Sequence, residues 1–216
     1  MKVLKFGGSS VANSENIQKV LVIVEEASKK DEIVVLVSAF GKTTDKLLAA
    51  ANSALKDIKT SKSILESIKE LHNQIIKDLI ILNKKEVLEE VTYLFNRLSS
   101  IYEGIFLLQE LSDKTLAKVC SFGERLSSFI IANAAKELFD AAHKESRALI
   151  LTNDDYLNAQ VNFKLTNENI SAFFQENKNK VIILGGFISS NISGDTTTLG
   201  RGGSDLSAVA IAKFFE

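Results

Sequence analysis

Proline is absent from all 216 residues, where average usage of about 5% would supply roughly ten. Turns must therefore be made with Gly, Asn, Asp and Ser, and no linker is stiffened by proline. The single cysteine, Cys120, excludes an internal disulfide framework and suits a reducing cytosol. Its expected role is that of a small buried hydrophobe. An excess of either charge is also missing: 26 basic and 27 acidic residues are interspersed and leave a net charge of −1. No nucleic-acid or membrane surface is expected from that balance. No apolar run approaches the ~18 residues of a membrane span, and the first residues read as a strand rather than a signal peptide. A cytoplasmic location is the expectation. Histidine is scarce as well. His72 and His143 have no cysteine or acidic partner at metal-ligand spacing, so both are expected to be structural or surface residues, and no metal site is expected.

What is present is β-α alternation at both ends of a chain long enough for one sizeable α/β core. Residues 2–6 read as a strand, and 14–30 as a helix with Ile17, Val20, Leu21 and Val24 on one face. Ile33 to Val37 is a continuous apolar run, as expected of a strand covered on both faces. A helix is expected from about Thr44 to Leu55, and further core strands at Arg147–Leu151 and Val181–Leu184. Between them, about 61–112, apolar residues recur at helical spacing. One helix carries Ile64, Ile68, Leu71, Ile75 and Leu79; a second runs from Val87 to Leu108 in steps of four and three. Asn83-Lys84-Lys85 suits the turn between them. Such a stripe serves either a coiled-coil dimer arm or, more often, a hairpin packed on its own domain.

Three segments carry chemistry. Thr196-Thr197-Thr198-Leu199-Gly200-Arg201-Gly202-Gly203-Ser204-Asp205 places glycines, an arginine and an aspartate directly before an apolar run. Glycines admit a ligand close to the backbone, a helix beginning near Ser204 points N–H groups at an anion, and Arg201 can grip a carboxylate or phosphate at two points. At the N-terminus a strand bearing Lys5 runs into Gly7-Gly8-Ser9-Ser10. A lysine there reaches the crevice at the carboxyl ends of a parallel sheet. In the third, Ser121-Phe122-Gly123-Glu124-Arg125-Leu126-Ser127, Glu124 lies in or beside a helix continuing through Ala132. Taken singly, each also reads as a turn, a solvated lysine or a surface ion pair.

Together, Lys5–Val11, Ser121–Ser127 and Thr196–Asp205 resemble the signatures of aspartate kinases, and the likeness extends to Val37-Ser38-Ala39, Ala148–Thr152 and Gly185–Ile188. Around Asn153 to Asn167 the chain further resembles the kinase half of bifunctional aspartokinase–homoserine dehydrogenases. The resemblance implies a three-layer α/β sandwich of the amino-acid kinase type with a mostly parallel sheet and an added helical hairpin. It implies transfer of the γ-phosphoryl group of ATP, carried with Mg²⁺, to the side-chain carboxylate of L-aspartate, a step of lysine, threonine and methionine biosynthesis. By resemblance Lys5 is catalytic and Asp205 holds it in place. Gly7, Gly8 and Ser9 cradle phosphate, Arg201 grips the α-carboxylate, and Glu124 recognises the α-amino group. Ser38, Thr44 and Ser204 supply hydroxyls near the substrate. A homo-oligomer is implied for a full-length protein.

A family segment of Thr-Asp-Val-x-Gly and Asp-Pro-Arg type, which binds the nucleotide, does not follow within these residues. The expectation is therefore a kinase domain lacking its C-terminal nucleotide-binding part, inactive alone. The alternatives are another amino-acid kinase acting on glutamate derivatives, which the Phe-Gly-Glu context of Glu124 disfavours, and a non-catalytic aspartate-binding module or regulatory subunit.

Overall fold

The structure, a computed structural model, describes residues 1–215. A four-stranded sheet of order β1-β2-β5-β3 forms the centre, from β1 (Lys2–Phe6), β2 (Ile33–Val37), β5 (Val181–Gly185) and β3 (Ala141–His143), all parallel. The β2 run alternates between two cores: Ile33, Val35 and Val37 join one hydrophobic cluster, and Val34 and Leu36 the other. Period-two alternation between two apolar layers is why this strand reads as an unbroken hydrophobic run.

The larger layer holds α1 (Ser14–Ser28), α2 (Thr43–Ala54), α3 (Ile58–Leu79), α4 (Lys84–Leu108) and α5 (Asp113–Lys136). On the other face lie α6 (Phe163–Glu176) and α7 (Gly203–Ala212), whose Ile170 and Ile211 meet Val34, Ile182 and Leu184. A small sheet of order β4-β6-β7 projects beside them, from β4 (Leu151–Thr152), β6 (Ile188–Asn191) and β7 (Thr196–Thr198). The three-layer α/β architecture expected from the sequence is therefore present.

The helical hairpin packs on its own chain. Tyr102 of α4 is fully buried and its hydroxyl donates to the Leu47 carbonyl of α2 at 3.1 Å. Its buried face is rotated from the expected stripe: Leu65, Ile68, His72, Ile75 and Ile76 are covered in α3, whereas Leu108 at the end of α4 is exposed. His72 stands between Phe40 and Phe95, with ring centroids 5.0 and 5.5 Å away, and its Nδ1–H donates to the Ile68 carbonyl at 2.7 Å. Burial pushes its pKa down to about 4. Cys120 is buried, and burial pushes its thiol up to about 12.

One expected strand requires correction. Ser146–Ala148 is a 3₁₀ turn, and only Leu151–Thr152 is extended, in the small sheet rather than the central one. Side chains decide this. Ser146 Oγ donates to the Gly185 carbonyl, and Arg147 is drawn to Glu145 and Thr196. The apolar Leu149 and Ile150 are buried in the second core from a turn, not from a strand.

Candidate functional site

A cleft of about 280 Å³ opens where the carboxyl ends of β1, β2 and β5 meet the start of α7. In parallel α/β sheets ligands sit at this edge, because side chains leaving the strand ends converge there. β1 delivers Lys5, and the turn after it brings the backbone of Gly7 and Gly8 to the wall. The residue following β2 is Ser38; α2 contributes Thr44, α5 contributes Glu124, and α7 contributes Ser204 and Asp205. Residues from four distant segments thus face one space.

Lys5 Nζ lies 2.8 Å from Asp205 Oδ1. Asp205 is largely exposed, so this pair adds little stability. Its effect is to fix the ammonium on the cleft side of the strand end. Ser38 Oγ and Ser204 Oγ are 3.0 Å apart, tying β2 to α7. The Ser38 carbonyl in turn accepts from Ser127 Oγ at 2.9 Å, which anchors that loop to α5.

Glu124 is the unusual group. It is 4% exposed, and only one of its carboxyl oxygens has a partner: Oε1 accepts from the Ala39 N–H at 3.2 Å, while Oε2 is buried without one. Burial pushes its pKa up to about 8, against a smaller downward pull from the Ala39 amide. A buried polar atom left unpaired is costly and rare in native structures. Here it lines a cleft, where an arriving cation would pair it.

The Gly-rich segment forms a turn at the cleft mouth. Gly200 and Gly202 have φ of 69° and 74°, a conformation glycine adopts without strain, and α7 begins at Gly203. The N-terminus of this ten-residue helix opens on the cleft, which favours negative charge. Arg201 and Ser9 are exposed, and neither lines the cleft.

Phe187 also lines the cleft without any role expected from the sequence. Its φ of 67° is strained for a bulky residue. Two hydrogen bonds hold it there: its N–H donates to Ser207 Oγ at 2.9 Å, and its carbonyl accepts from the Leu199 N–H at 2.9 Å. Residue type gives no sign of such a backbone. The preceding Gly185-Gly186 pair is the available signal, since a Cβ at Gly186 would come within 2.8 Å of Ser204 Cβ.

The parallel sheet, the cleft at its carboxyl edge, the lysine–aspartate pair and the glycine turns define an α/β ligand-binding fold, and the chain belongs to the amino acid kinase family, whose profile matches residues 1–216. Within that family it is similar to aspartokinases. It is 33% identical to the bifunctional aspartokinase/homoserine dehydrogenase of Buchnera aphidicola subsp. Acyrthosiphon pisum, covering 98% of this chain and 26% of that protein. It is 34% identical to the aspartokinase of Chlamydia pneumoniae, covering 98% of this chain and 44% of that one. Among solved structures, E. coli aspartokinase III in complex with aspartate and ADP superposes with a TM-score of 0.89 at 27% identity, over 99% of this chain and 46% of that one. The chain thus spans between a quarter and a half of the length of these relatives.

Proposed function

We propose that these residues form the aspartate side of an aspartokinase, which transfers the γ-phosphoryl group of ATP to the 4-carboxylate of L-aspartate. The observation that carries this reading is the pairing of opposite charges around one cleft. The unpartnered Glu124 Oε2, Lys5 and the α7 N-terminus all face the same cleft. A zwitterion with a second carboxylate needs that combination.

In this reading the substrate ammonium pairs with Glu124, which gives up its proton. Arg201, exposed on its glycine-flanked turn at the cleft mouth, reaches the α-carboxylate. The 4-carboxylate is already ionised at neutral pH, so no general base is required. One of its oxygens attacks the γ-phosphorus, the bond to the bridging oxygen breaks, and ADP leaves with that electron pair. Lys5, steadied by Asp205, neutralises charge on the transferring group, and the amides of Gly7, Gly8 and Ser9 receive its oxygens.

Among the described residues no group of three or more His, Cys, Asp or Glu side chains is placed to hold a metal. Mg²⁺ therefore enters this proposal on the nucleotide phosphates, and no step is assigned to it. The resemblance puts the adenine-binding segment outside residues 1–216, and phosphoryl transfer depends on holding both substrates in line. These 216 residues alone are expected to bind aspartate but to turn over little ATP.

Calorimetric titration with L-aspartate, beside an assay with ATP, Mg²⁺ and aspartate, tests the reading. Saturable aspartate binding with weak turnover supports it. Failure to bind aspartate removes the substrate assignment, and turnover matching an aspartokinase would relocate the nucleotide site into these residues.

A further inference from the structure

A second, smaller cleft of about 210 Å³ opens between α4, α5 and the turn joining β6 to β7. It shares no lining residue with the first. Five cations surround it: Arg97 from α4, Lys114, Lys118 and Arg125 from α5, and Arg147 from the Ser146–Ala148 turn. Two carboxylates answer them. Glu145 Oε2 receives Arg125 Nε at 3.3 Å and Arg147 Nη2 at 2.7 Å, and Asp195 Oδ2 receives Lys114 Nζ at 2.6 Å. Five positive groups against two negative ones leave three positive charges at one small concavity.

Such crowding is not general to this chain, whose net charge is −1. Arg97 and Lys118 have no carboxylate within salt-bridge distance among the described residues. Arg147 Nε is buried with no hydrogen-bond partner, although Nη1 and Nη2 of the same guanidinium are satisfied by Thr196 Oγ1 and Glu145. Arg125 stacks over the Phe122 ring at 4.6 Å, which fixes its plane at the cleft wall. Its pKa is lowered, first by burial and next by Arg147, with Arg97 adding to the repulsion and Glu145 opposing it. Like charges held this close and partly out of water are costly unless an anion completes the set.

We propose that this cleft binds a phosphate dianion, either free or as the end group of a small phosphate ester. Arg97 and Lys118, neither committed to a carboxylate, can donate to the oxygens of a tetrahedral oxyanion, while Arg125 and Arg147, held by Glu145 and Thr196, add positive charge at the wall. The volume exceeds that of one phosphate and leaves room for a short substituent beside Phe122.

Binding of inorganic phosphate and of methyl phosphate, each against chloride at equal ionic strength, is the test, read by calorimetry and by the shift in melting temperature. Lys5→Ala/Arg201→Ala serves as the background, so that the first cleft does not contribute. In it, one anion per chain is expected. Adding Arg97→Ala or Lys118→Ala should weaken it about tenfold or more, the effect of losing one charged hydrogen-bond partner. Both residues are exposed and lack acidic partners, so without phosphate the melting temperature should be unchanged or slightly raised, each variant removing one of the crowded cations. Tighter binding of methyl phosphate identifies an ester as the ligand, and equal binding identifies free phosphate. The proposal is overturned if no saturable binding remains in the background variant, or if Arg97→Ala and Lys118→Ala together leave it unaltered.

Discussion

Glu124 holds the most informative chemistry at the scale of single residues. Its carboxyl, pushed up to about 8 by burial, keeps its proton at pH 7 in the free chain. An ammonium docking at Oε2 favours the ionised form, so aspartate binding should expel about one proton. Affinity for aspartate should then rise with pH up to about 8 and level off above it. Calorimetry in buffers of different ionisation heat measures the released proton directly. In Glu124→Gln the release should vanish, and binding should weaken by about 1.5–3 kcal/mol, the usual loss for a charged hydrogen bond. An unchanged pH slope in that variant would show that Glu124 does not meet the ligand. Lys5 makes a different demand. Under the proposed function, Lys5→Ala in the full gene product should lower kcat strongly with little change in KM for aspartate, because its charge is needed mainly in the transition state. Arg201→Ala should do the reverse, raising KM for aspartate far more than that for ATP. Near-normal kcat in the first variant, or unaltered KM in the second, removes the corresponding role.

Among the elements, α5 shows how a helix can be shaped for a neighbour rather than for itself. Gly123 sits mid-helix, where glycine costs roughly 1 kcal/mol relative to alanine. A Cβ there would come within 2.7 Å of Ala39 Cβ and 3.4 Å of Thr44 Oγ1. The close approach seats the Ala39 N–H on Glu124. Gly123→Ala should therefore destabilise the protein by about 1–3 kcal/mol despite its better helix propensity, because overpacking outweighs the gain. It should also weaken aspartate binding by shifting the Ala39 amide. Urea unfolding and an aspartate titration check both; a more stable variant would show that α5 and the Ala39 loop separate freely. The helical hairpin makes the complementary point. The 3.6-residue period fixes that α3 and α4 are amphipathic, but the inward face is set by Phe40, Leu47 and the α5 side chains they meet.

For the whole molecule, buried His72 and Glu124 and half-buried His143 shape the pH dependence of stability between pH 4.5 and 8. His72 and His143 are held neutral by burial down to about 4, against 6.5 when unfolded. Between those values the unfolded chain binds more protons, so stability falls as pH drops below 6.5. Glu124 has the opposite sign. From 4.5 to about 8 the folded chain holds a proton that the unfolded chain has lost, so stability falls as pH rises through that range. Two histidines outweigh one glutamate below 6.5, and the glutamate acts without them above it. From these groups maximal stability is expected near pH 6.5 in the absence of ligand. His72→Phe should flatten the acid side and Glu124→Gln the alkaline side, as read from melting temperatures across pH 4.5–8. An acid limb equally steep in His72→Phe would mean that His72 titrates normally.

Much of this protein is written locally. The continuous apolar run Ile33–Val37, the helical spacing in α1, α3 and α4, and the glycine turns near Lys5 and Arg201 each follow from short-range periodicity and backbone freedom, and all are present where they were expected. Lys5, Gly7, Gly8, Ser38, Thr44, Glu124, Ser204 and Asp205, which line the first cleft, were likewise legible because their neighbours form specific segments, whereas Phe187 was not, and Ser9 and Arg201 lie outside the lining. Tertiary structure alone decided the rest. Arg147–Leu151 has the composition of a strand, yet the pull of Glu145, Thr196 and the Gly185 carbonyl on its polar side chains turns it into a 3₁₀ turn. Phe187 takes a left-handed backbone because Ser207 and Leu199 hold it there. The basic cleft joins Arg97, Lys118 and Arg147, residues whose spacing along the chain carries no signal. Local pattern determines which elements form, whereas desolvation, charge crowding and strain arise only when distant segments share one space.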